Sequence, residues 1–414
     1  MSRVHVIGAG MAGLSAATSL AARGVSVVLY EQAKFAGGRC RSYHDTTLGC
    51  RLDNGNHLLL SGNRATIAYL DRIGATDTLV GPDKPLFPFI DLVSGAAWTL
   101  RLNRGVTPWW VLRRDWRVPD TSPRDYWALR RLQRAKPDDL VADLLGDLGP
   151  LYDRLLEPLA IAALNTKPEI ASAAPLAAVV AESLARGGAA SMPRYPAIGL
   201  SETFVDPALA FLRAHGTEFR FGARIAGLTV SENRVTGLVG PNVDEIIEPN
   251  DRVILATPPW VTAELLPSLT VPDAFEAILN LHFRAGIDPG KAGFYGLIGG
   301  VAEWVFEKTE VVSVTISAAN DRLDSDPETL AAEVWSDLRR GFGLPRTMPP
   351  YRIVRERRAT FAATPAQLAR RPGPITRLSN LTLAGDYTAT GLPSTIEGAI
   401  RSGATAANAE RASG

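Results

Sequence analysis

The sequence predicts an α/β protein in which a doubly wound parallel sheet carries an inserted α+β domain. Two motifs at opposite ends of the chain support this prediction. Gly8-Ala9-Gly10-Met11-Ala12-Gly13 follows a short apolar stretch near the N-terminus, and Leu383-Ala384-Gly385-Asp386 lies near the C-terminus. The third observation is a change of composition between the two motifs. Tryptophan and arginine become frequent there, and helical patterns replace the alternation of strands and helices.

A strand–helix–strand unit opens the chain. Residues 3–7 predict a buried strand, residues 12–22 a helix rich in alanine and leucine, and residues 25–30 a second strand that is nearly all apolar. Such a strand is typical of a parallel sheet covered on both faces. Residues 4–22 contain no Asp, Glu, Lys or Arg and are long enough to resemble a membrane span. However, three glycines interrupt this stretch and Arg23-Gly24 end it, which indicates a strand, a loop and a helix.

The glycine-rich loop in this unit predicts a dinucleotide site of the Rossmann type. The first glycine allows a tight turn, the second lets the backbone approach a pyrophosphate, and the third lets the helix pack close to the sheet. The helix N-terminus then faces the phosphates. Glu31 ends the second strand eighteen residues after Gly13, close to the roughly 20 expected of an acid that binds the ribose. The residues expected at this part of the cofactor are Gly8, Gly10, Met11, Ala12, Gly13, Glu31 and Gln32.

The middle of the chain predicts two excursions from the nucleotide-binding domain. In the first, tryptophan and arginine cluster at residues 109–117, and helical patterns follow at 139–145, 151–164 and 175–186. We therefore expect a mainly helical insertion. Short strands then lead back to the nucleotide-binding domain, at residues 217–220, 224–230, 234–239, 246–248 and 251–256, and the last runs into a loop broken by Pro258 and Pro259.

The second excursion contains a strand at 311–317 and a helix that begins after Asp326 and stops at Gly341. An N-cap, a proline at the first helical position and a terminal glycine agree there. The stripe of Leu330, Val334 and Leu338 gives this helix one apolar face. A strand at 381–384 and a helix at 397–409 close the chain. We expect a discontinuous nucleotide-binding domain of residues 1–84, 201–269 and 376–414, and a substrate-binding domain of residues 85–200 and 270–375.

Composition argues against several classes of function. The net charge is +1, so no global field indicates a nucleic-acid partner. The two cysteines, Cys40 and Cys50, are too few for a disulfide framework and fit a reducing compartment. The five histidines show no spacing typical of metal ligands. We expect neither a metal nor a nucleic-acid partner.

Further motifs resemble FAD enzymes of the amine oxidase and phytoene desaturase superfamily. These motifs are Gly37-Gly38-Arg39, Asp53-Asn54-Gly55-Asn56-His57 and the C-terminal Gly385-Asp386. The resemblance implies that FAD is the cofactor, that Arg39 neutralises its pyrophosphate, and that Asp386 accepts hydrogen bonds from its ribityl chain. A helix N-terminus near residue 396 would face the pyrimidine edge of the flavin. The residues that the resemblance places at FAD are Gly38, Arg39, Gly55, Asn56, His57, Ile225, Gly385, Asp386, Ser394, Thr395 and Ile396.

Within that superfamily, the sequence is similar to hydroxysqualene dehydroxylases. The similarity lies in residues 157–166, 299–306, 355–365 and 385–403, with Tyr387 where many members have tryptophan. It implies reductive removal of an allylic hydroxyl group, which gives squalene for hopanoid synthesis. A carotenoid or phytoene-type desaturase and a non-catalytic prenyl-lipid carrier of the same fold are the alternatives.

The leaving hydroxyl of this reaction needs a proton donor or a strong hydrogen-bond donor, because hydroxide leaves poorly. We expect Glu397, His57, or a water held by Asn165 and Thr166 to serve it. Each acid or base has an alternative interpretation. Glu397 is also typical of a buried structural acid, and His57 of a packed histidine without chemistry.

A long isoprenoid substrate also predicts contact with a membrane, because such a molecule is almost insoluble in water. Trp109, Trp110 and Trp116 lie beside Arg113, Arg114 and Arg117 and fit an interfacial patch with a basic rim. The alternative is a segment that packs on its own domain. We expect a cytoplasmic protein bound peripherally to the inner membrane face, with hydroxysqualene-forming synthases as partners.

Overall fold

A five-stranded parallel sheet lies at the centre of the computed structural model, which describes residues 2–288, 290, 292–308 and 311–409. We call it the nucleotide sheet. Its strands, from edge to edge, are Glu218–Phe221, Ser26–Glu31, Arg3–Ile7, Arg252–Leu255 and Leu381–Leu383. The apolar side chains of the central strands pack into separate clusters on the two faces. The expected parallel sheet, covered on both sides, is confirmed.

The glycine-rich N-terminal stretch forms a strand, a loop and a helix, as its glycines indicate. The strand Arg3–Ile7 is followed by the helix Met11–Ala21. None of the helices in the described part of the chain is long and apolar enough to cross a bilayer.

A second, seven-stranded sheet lies beside the nucleotide-binding unit, and we call it the large sheet. Its strands in spatial order are Tyr351–Phe361, Phe275–Phe283, Val311–Ile316, Trp304–Lys308, Phe294–Ile298, Leu86–Asp91 and Ala97–Arg101. The expectation of a mainly helical segment from residue 85 is therefore wrong at its start. The first two strands of that segment pair with each other, and the rings of Phe89 and Trp98 stack across them with centroids 4.5 Å apart, which stabilises a strand pair.

Helices surround the two sheets. The α-helices after the first are Arg64–Arg72, Val141–Leu145, Glu157–Leu164, Ala173–Glu182, Asp206–Ala214, Pro259–Leu265, Pro327–Phe342, Pro365–Leu368 and Ile396–Asn408. Turns of 3₁₀ helix occur at Thr76–Thr78, Trp109–Leu112, Asp125–Arg134, Gly146–Leu148, Leu184–Arg186, Gly188–Ala190 and Asn320–Arg322. Tyr152–Leu156 and Ser201–Val205 are wider π-helical turns.

The remaining strands are short. Gly227–Ser231, Arg234–Gly240 and Val243–Ile246 form an antiparallel sheet of three strands, Ser42–Asp45 pairs with Cys50–Asp53, and Pro193–Pro196 pairs with Leu59–Leu60 and Leu79–Val80.

Three predicted boundaries need correction. The helix Pro327–Phe342 ends at Gly343, which has a φ of +66°, and passes through Gly341, because the left-handed residue is the one that stops a helix. The strand predicted at 246–248 begins at Val243, directly after a two-residue turn. Pro259 starts a helix instead of lying in a loop, since proline suits the first helical position.

The first and last helices pack against each other at unusually short range. A Cβ atom at Gly403 would lie 2.1 Å from the carbonyl oxygen of Ala12. The Ser15 hydroxyl donates to the carbonyl of Ile400 at 2.8 Å. This contact places the N-terminal glycine-rich loop beside the C-terminal motif.

We predict that Gly403→Ala destabilises the protein by about 1–3 kcal/mol, because the added methyl group overlaps the backbone of the facing helix. Gly146→Ala is the matched control, since a Cβ atom there would meet no described atom within 4 Å. Urea unfolding of both variants measures the difference. Equal unfolding free energies for the two variants would contradict the close packing.

Candidate active site

The N-terminal loop has the geometry that a dinucleotide requires. Gly8 has a φ of +105°, and a Cβ atom there would lie 2.6 Å from the carbonyl oxygen of Ala256. A Cβ atom at Gly13 would lie 1.8 Å from the Gly8 oxygen, so the helix packs directly on the loop. At Gly10, by contrast, a Cβ atom would meet no described atom within 4 Å. The second glycine therefore borders open space, as an approaching pyrophosphate demands.

Glu31 ties the end of its strand to this loop. One carboxylate oxygen accepts from the Ala9 amide at 2.9 Å, and the Glu31 carbonyl accepts from the Ala223 amide at 2.9 Å. The latter bond holds the loop that contains buried Ile225 close to the strand end. Gln32 is exposed beside it. Their contacts with the ribose end of the cofactor stay predictions.

A salt bridge joins the two cofactor motifs. Arg39 follows a glycine pair whose first amide donates to the carbonyl of Ala9 at 2.8 Å. The Arg39 guanidinium donates to the Asp386 carboxylate at 2.7 Å and to the backbone carbonyl of Ala359. Ser394 donates its hydroxyl to the same Asp386 oxygen. The structure thus brings these predicted residues together in one cluster.

Arg371 organises the C-terminal loop and was missed by the sequence analysis. Its guanidinium donates to the backbone carbonyls of Asp386 at 3.2 Å, Tyr387 at 3.3 Å and Leu392 at 2.8 Å, and also to that of Thr388. Burial lowers the pKa of Arg371 to about 10, so the side chain remains charged at neutral pH. No motif marks an arginine that acts through backbone carbonyls.

The last helix begins where the sequence predicts. Thr395 is its N-cap, and the Thr395 hydroxyl accepts from the Gly398 amide at 3.0 Å. The positive end of the helix macrodipole therefore lies next to the Asp386 loop. Such an end stabilises negative charge on a ligand placed there.

Glu397 lies in this helix, but its contacts are structural. The side chain is 3% exposed. Its carboxylate accepts from the amides of Ala65 at 3.0 Å and Thr66 at 2.8 Å, from the Thr66 hydroxyl at 2.7 Å, and from Arg401 at 3.1 Å. It therefore satisfies the N-terminus of the helix Arg64–Arg72. This arrangement favours the structural interpretation over a role as proton donor.

Asn165 and Thr166 also serve the architecture. Asn165 ends its helix in the left-handed conformation and is 2% exposed. Its amide donates to the Glu276 carbonyl at 3.3 Å and to the Thr360 hydroxyl at 2.9 Å, while its oxygen accepts from the Ala318 amide at 2.7 Å. Because both N–H groups and the oxygen have protein partners, the expectation that Asn165 holds a reactive water is not supported. Thr166 accepts from the Ala363 amide at 2.9 Å.

His57 is neutral in its environment. Burial lowers its pKa to about 4, and the positive charges of Lys308 and Arg39 act in the same direction. Lys308 forms an ion pair with buried Asp53. At neutral pH, His57 is therefore suited to offer a hydrogen bond rather than the proton of an imidazolium ion.

One face of the large sheet carries polar side chains that the sequence analysis did not single out. We call Asn280, His282, Ser313 and Thr315 the polar strip. Leu279, Leu281, Val312 and Val314 alternate with them and pack in the core on the opposite face, as strand geometry requires. Burial lowers the pKa of His282 to about 4. Polar residues at every second position of an apolar strand are the signal that could have found this strip.

The predicted flavin segment crosses the polar strip. A Cβ atom at Gly55 would lie 3.1 Å from the Asn280 amide nitrogen, so glycine permits the close approach. Asn56 donates to the hydroxyls of Ser313 at 2.8 Å and Thr315 at 3.1 Å. The two halves of the site, nucleotide cradle and large sheet, meet at this segment.

An aromatic strip adjoins the polar strip on the same face. It consists of Phe294, Trp304 and Phe306. Trp304 pairs with Thr315 and Phe306 with Ser313 across neighbouring strands, and directly paired residues share a face of a sheet. Phe294 and Phe306 stack with centroids 5.9 Å apart. The polar strip thus adjoins an apolar cluster in which Phe294 and Phe306 are buried and Trp304 is partly exposed.

Comparison with known proteins agrees with this geometry. The model of the family described as flavin containing amine oxidoreductase matches residues 11–287 and 304–409. The chain is 48% identical to the hydroxysqualene dehydroxylase of Rhodopseudomonas palustris and 42% identical to that of Zymomonas mobilis, covering 99% of each chain in both cases. Its structure resembles cyclohexylamine oxidase from Brevibacterium oxydans with a TM-score of 0.72, at 16% identity over 98% of both chains.

The cofactor is FAD, and the described residues fit it. The open space at Gly10, the anionic end of the second strand at Glu31 and the charged pair of Arg39 and Asp386 lie along one cradle. The N-terminus of the last helix closes its far end.

We predict that Gly10→Ala lowers bound FAD by about tenfold while changing the stability of the apoprotein by less than about 1 kcal/mol. The added methyl group enters cofactor space without touching the protein. In Gly13→Ala, the control, the methyl group collides with the Gly8 carbonyl and lowers the stability of the apoprotein itself. Flavin absorbance per protein and urea unfolding separate the two effects; a Gly10→Ala protein with full FAD content would contradict the assignment.

Proposed function

The chain belongs to the flavin-containing amine oxidoreductase family, and from this premise we propose that it reductively removes the allylic hydroxyl group of hydroxysqualene to give squalene. The observation that carries the proposal is the match, along 99% of the chain, to two hydroxysqualene dehydroxylases. A match of this length and identity favours dehydroxylation over the desaturase alternative. The intact FAD cradle argues against a carrier without catalysis.

The residues of the site suit this chemistry. Reduced FAD supplies a hydride when it is bound. Trp304, the partly exposed member of the aromatic strip, offers an apolar contact for the hydrocarbon chain, and buried Phe294 and Phe306 support it and keep water away. The neutral imidazole of His57 and the uncharged polar strip add hydrogen bonds without bringing a free negative charge near the substrate. The N-terminus of the last helix stabilises negative charge at the flavin.

The proposal predicts that dithionite-reduced enzyme is reoxidised by hydroxysqualene in the absence of oxygen, with one squalene formed per flavin. Flavin absorbance and mass spectrometry of the product measure both sides of the reaction. The Gly10→Ala protein without FAD serves as the control for uncatalysed loss of water. Failure of reoxidation, together with bleaching of oxidised enzyme by phytoene, would instead establish a desaturase.

We further propose that the enzyme binds the membrane surface through a patch of exposed apolar side chains, which are Val106, Trp109, Leu112 and Trp127. Trp110, which the sequence placed in such a patch, instead packs on Tyr126 with ring centroids 5.0 Å apart. That contact holds the two 3₁₀ segments of the patch side by side. Residues 101–134 contain nine arginines and three aspartates, so the patch complements anionic lipid headgroups.

The membrane proposal predicts that Trp109→Ser/Trp127→Ser lowers binding to vesicles of phosphatidylglycerol and phosphatidylcholine by at least about tenfold, because each exposed indole contributes apolar burial. Ile198→Ser/Ile246→Ser, which removes exposed side chains outside the patch, is the matched control. Vesicle flotation at low and high salt measures binding. Equal flotation of the two double variants would rule the patch out.

Delivery of the substrate supports one further proposal. An enzyme that forms hydroxysqualene releases a product that is nearly insoluble in water. We therefore propose hydroxysqualene-forming synthases as partners at the cytoplasmic face of the inner membrane.

A further inference from the structure

A single backbone carbonyl determines which atom donates and which accepts in each hydrogen bond of the polar strip. Asn280 Nδ2 donates to the carbonyl oxygen of Asn54 at 3.2 Å, and a carbonyl can only accept. Asn280 Oδ1 therefore accepts from the Thr315 hydroxyl at 2.9 Å. Because the Thr315 proton is used in that bond, Thr315 Oγ1 accepts from Asn56 Nδ2 at 3.1 Å. This series of hydrogen bonds fixes the orientation of the Asn56 amide group.

The same reasoning fixes the tautomer of His282. Asn56 Nδ2 also donates to Ser313 Oγ at 2.8 Å, so the Ser313 proton is directed to His282 Nδ1, 2.8 Å away. With Nδ1 as the acceptor, the neutral ring carries its proton on Nε2. The ring stays neutral near pH 7 because burial lowers the pKa of His282 to about 4.

Two buried atoms at the end of this network form no hydrogen bond of good geometry with the described residues. They are Asn56 Oδ1, an acceptor, and His282 Nε2, a donor. The His282 side chain is only 2% exposed. Buried polar atoms almost always have partners, so an orphaned donor and acceptor on two side chains that share the Ser313 hydroxyl require an explanation. A hydroxyl group, which both donates and accepts, satisfies the two together.

We propose that Asn56 and His282 form the binding site for the hydroxyl group of the substrate, which donates to Asn56 Oδ1 and accepts from His282 Nε2. This inference rests on the proposed function and adds the residues that hold the leaving group. The aromatic strip begins one strand away, with Phe306 paired to Ser313. An isoprenoid chain can therefore lie against Trp304, which is partly exposed and pairs with Thr315, while its oxygen reaches the polar strip.

The charges around the pair favour a neutral ligand. Lys308, Asp53 and Asp45 are the charged groups that act on His282. Lys308 is paired with Asp53, and Asp45 with Arg352. Each of these charged groups therefore already has a partner of opposite charge and is not available to bind a charged substrate. An alcohol requires no charged partner.

Two substitutions of His282 distinguish binding from architecture. His282→Asn keeps a polar group at the position of Nδ1, toward Ser313, and removes the donor at Nε2. His282→Gln places an amide near Nε2 and removes the contact with Ser313. We expect His282→Asn to weaken hydroxysqualene binding to the FAD-loaded enzyme by about tenfold, with squalene binding unchanged, and His282→Gln to retain most of the preference for the alcohol. Titration followed by flavin fluorescence gives both affinities.

Asn56→Leu provides a second variant in case His282 substitutions impair folding, and it should lose the same preference. FAD content and circular dichroism identify variants that fold. If His282→Asn leaves the ratio of the two affinities unchanged while the wild-type enzyme still forms squalene, the hydroxyl site is wrong and the proposed function stands. If the enzyme does not convert hydroxysqualene, the hydroxyl site is tested with farnesol, an isoprenoid alcohol, and farnesene, the corresponding hydrocarbon, titrated in parallel. Preference of the wild type for farnesol, lost in His282→Asn, supports the site, and absence of any preference overturns it.

Discussion

The packing of the first helix against the last is the contact on which the rest of the structure depends. It joins residues far apart in the chain, such as Ser15 and Ile400, which are 385 positions apart. Only small side chains permit it, because the backbone of Gly403 lies where a larger residue would collide with Ala12. Once the helices are in place, the Gly10 loop, Arg39 and Asp386 converge on one cradle. Loss of this contact would separate the two ends of the cofactor site without altering either motif.

Around that cradle, the charged side chains bind other groups of the protein, and the side chains that we propose contact the substrate are uncharged. Glu397 holds a helix N-terminus, Arg371 holds backbone carbonyls, and Lys308 is paired with Asp53. The polar strip and the aromatic strip carry no formal charge. A substrate that is a hydrocarbon with one hydroxyl group carries no charge. An unpaired ion buried beside it would lose its hydration without gaining an ionic partner, which is unfavourable. The distribution of charge therefore follows from the chemistry of the substrate.

Sequence reasoning succeeded where structure is local and failed where partners are distant. The strand, glycine loop and helix at residues 3–21 follow from neighbouring residues, and so does the N-cap at Asp326. The large sheet escaped prediction in part because its strands Leu86–Asp91 and Tyr351–Phe361 pair with strands far away in the sequence. In the sequence, His282 is only one of five histidines without metal-ligand spacing. Its role depends on a hydrogen bond with Ser313 on the adjacent strand, which the sequence does not reveal. The roles of Asn165 and Arg371 likewise depend on carbonyls and amides that no pattern of side chains reveals.

The fate of Asn165 and Thr166 shows why a distinctive motif need not mark the reacting atoms. Asn165 ties the helical insertion to the strand Phe275–Phe283, to Ala318 and to the strand that ends at Phe361, and Thr166 ties it to Ala363. The strand Phe275–Phe283 contributes Asn280 and His282 to the polar strip, and Ala318 lies two residues after the strand Val311–Ile316, which contributes Ser313 and Thr315. Asn165 therefore fixes the helical insertion against the large sheet, which carries both the aromatic strip and the proposed hydroxyl-binding residue His282. The Asn165 side chain, with every hydrogen-bonding group in use, thus serves the site by holding one wall of the molecule rigidly against the sheet on which the proposed binding residues lie.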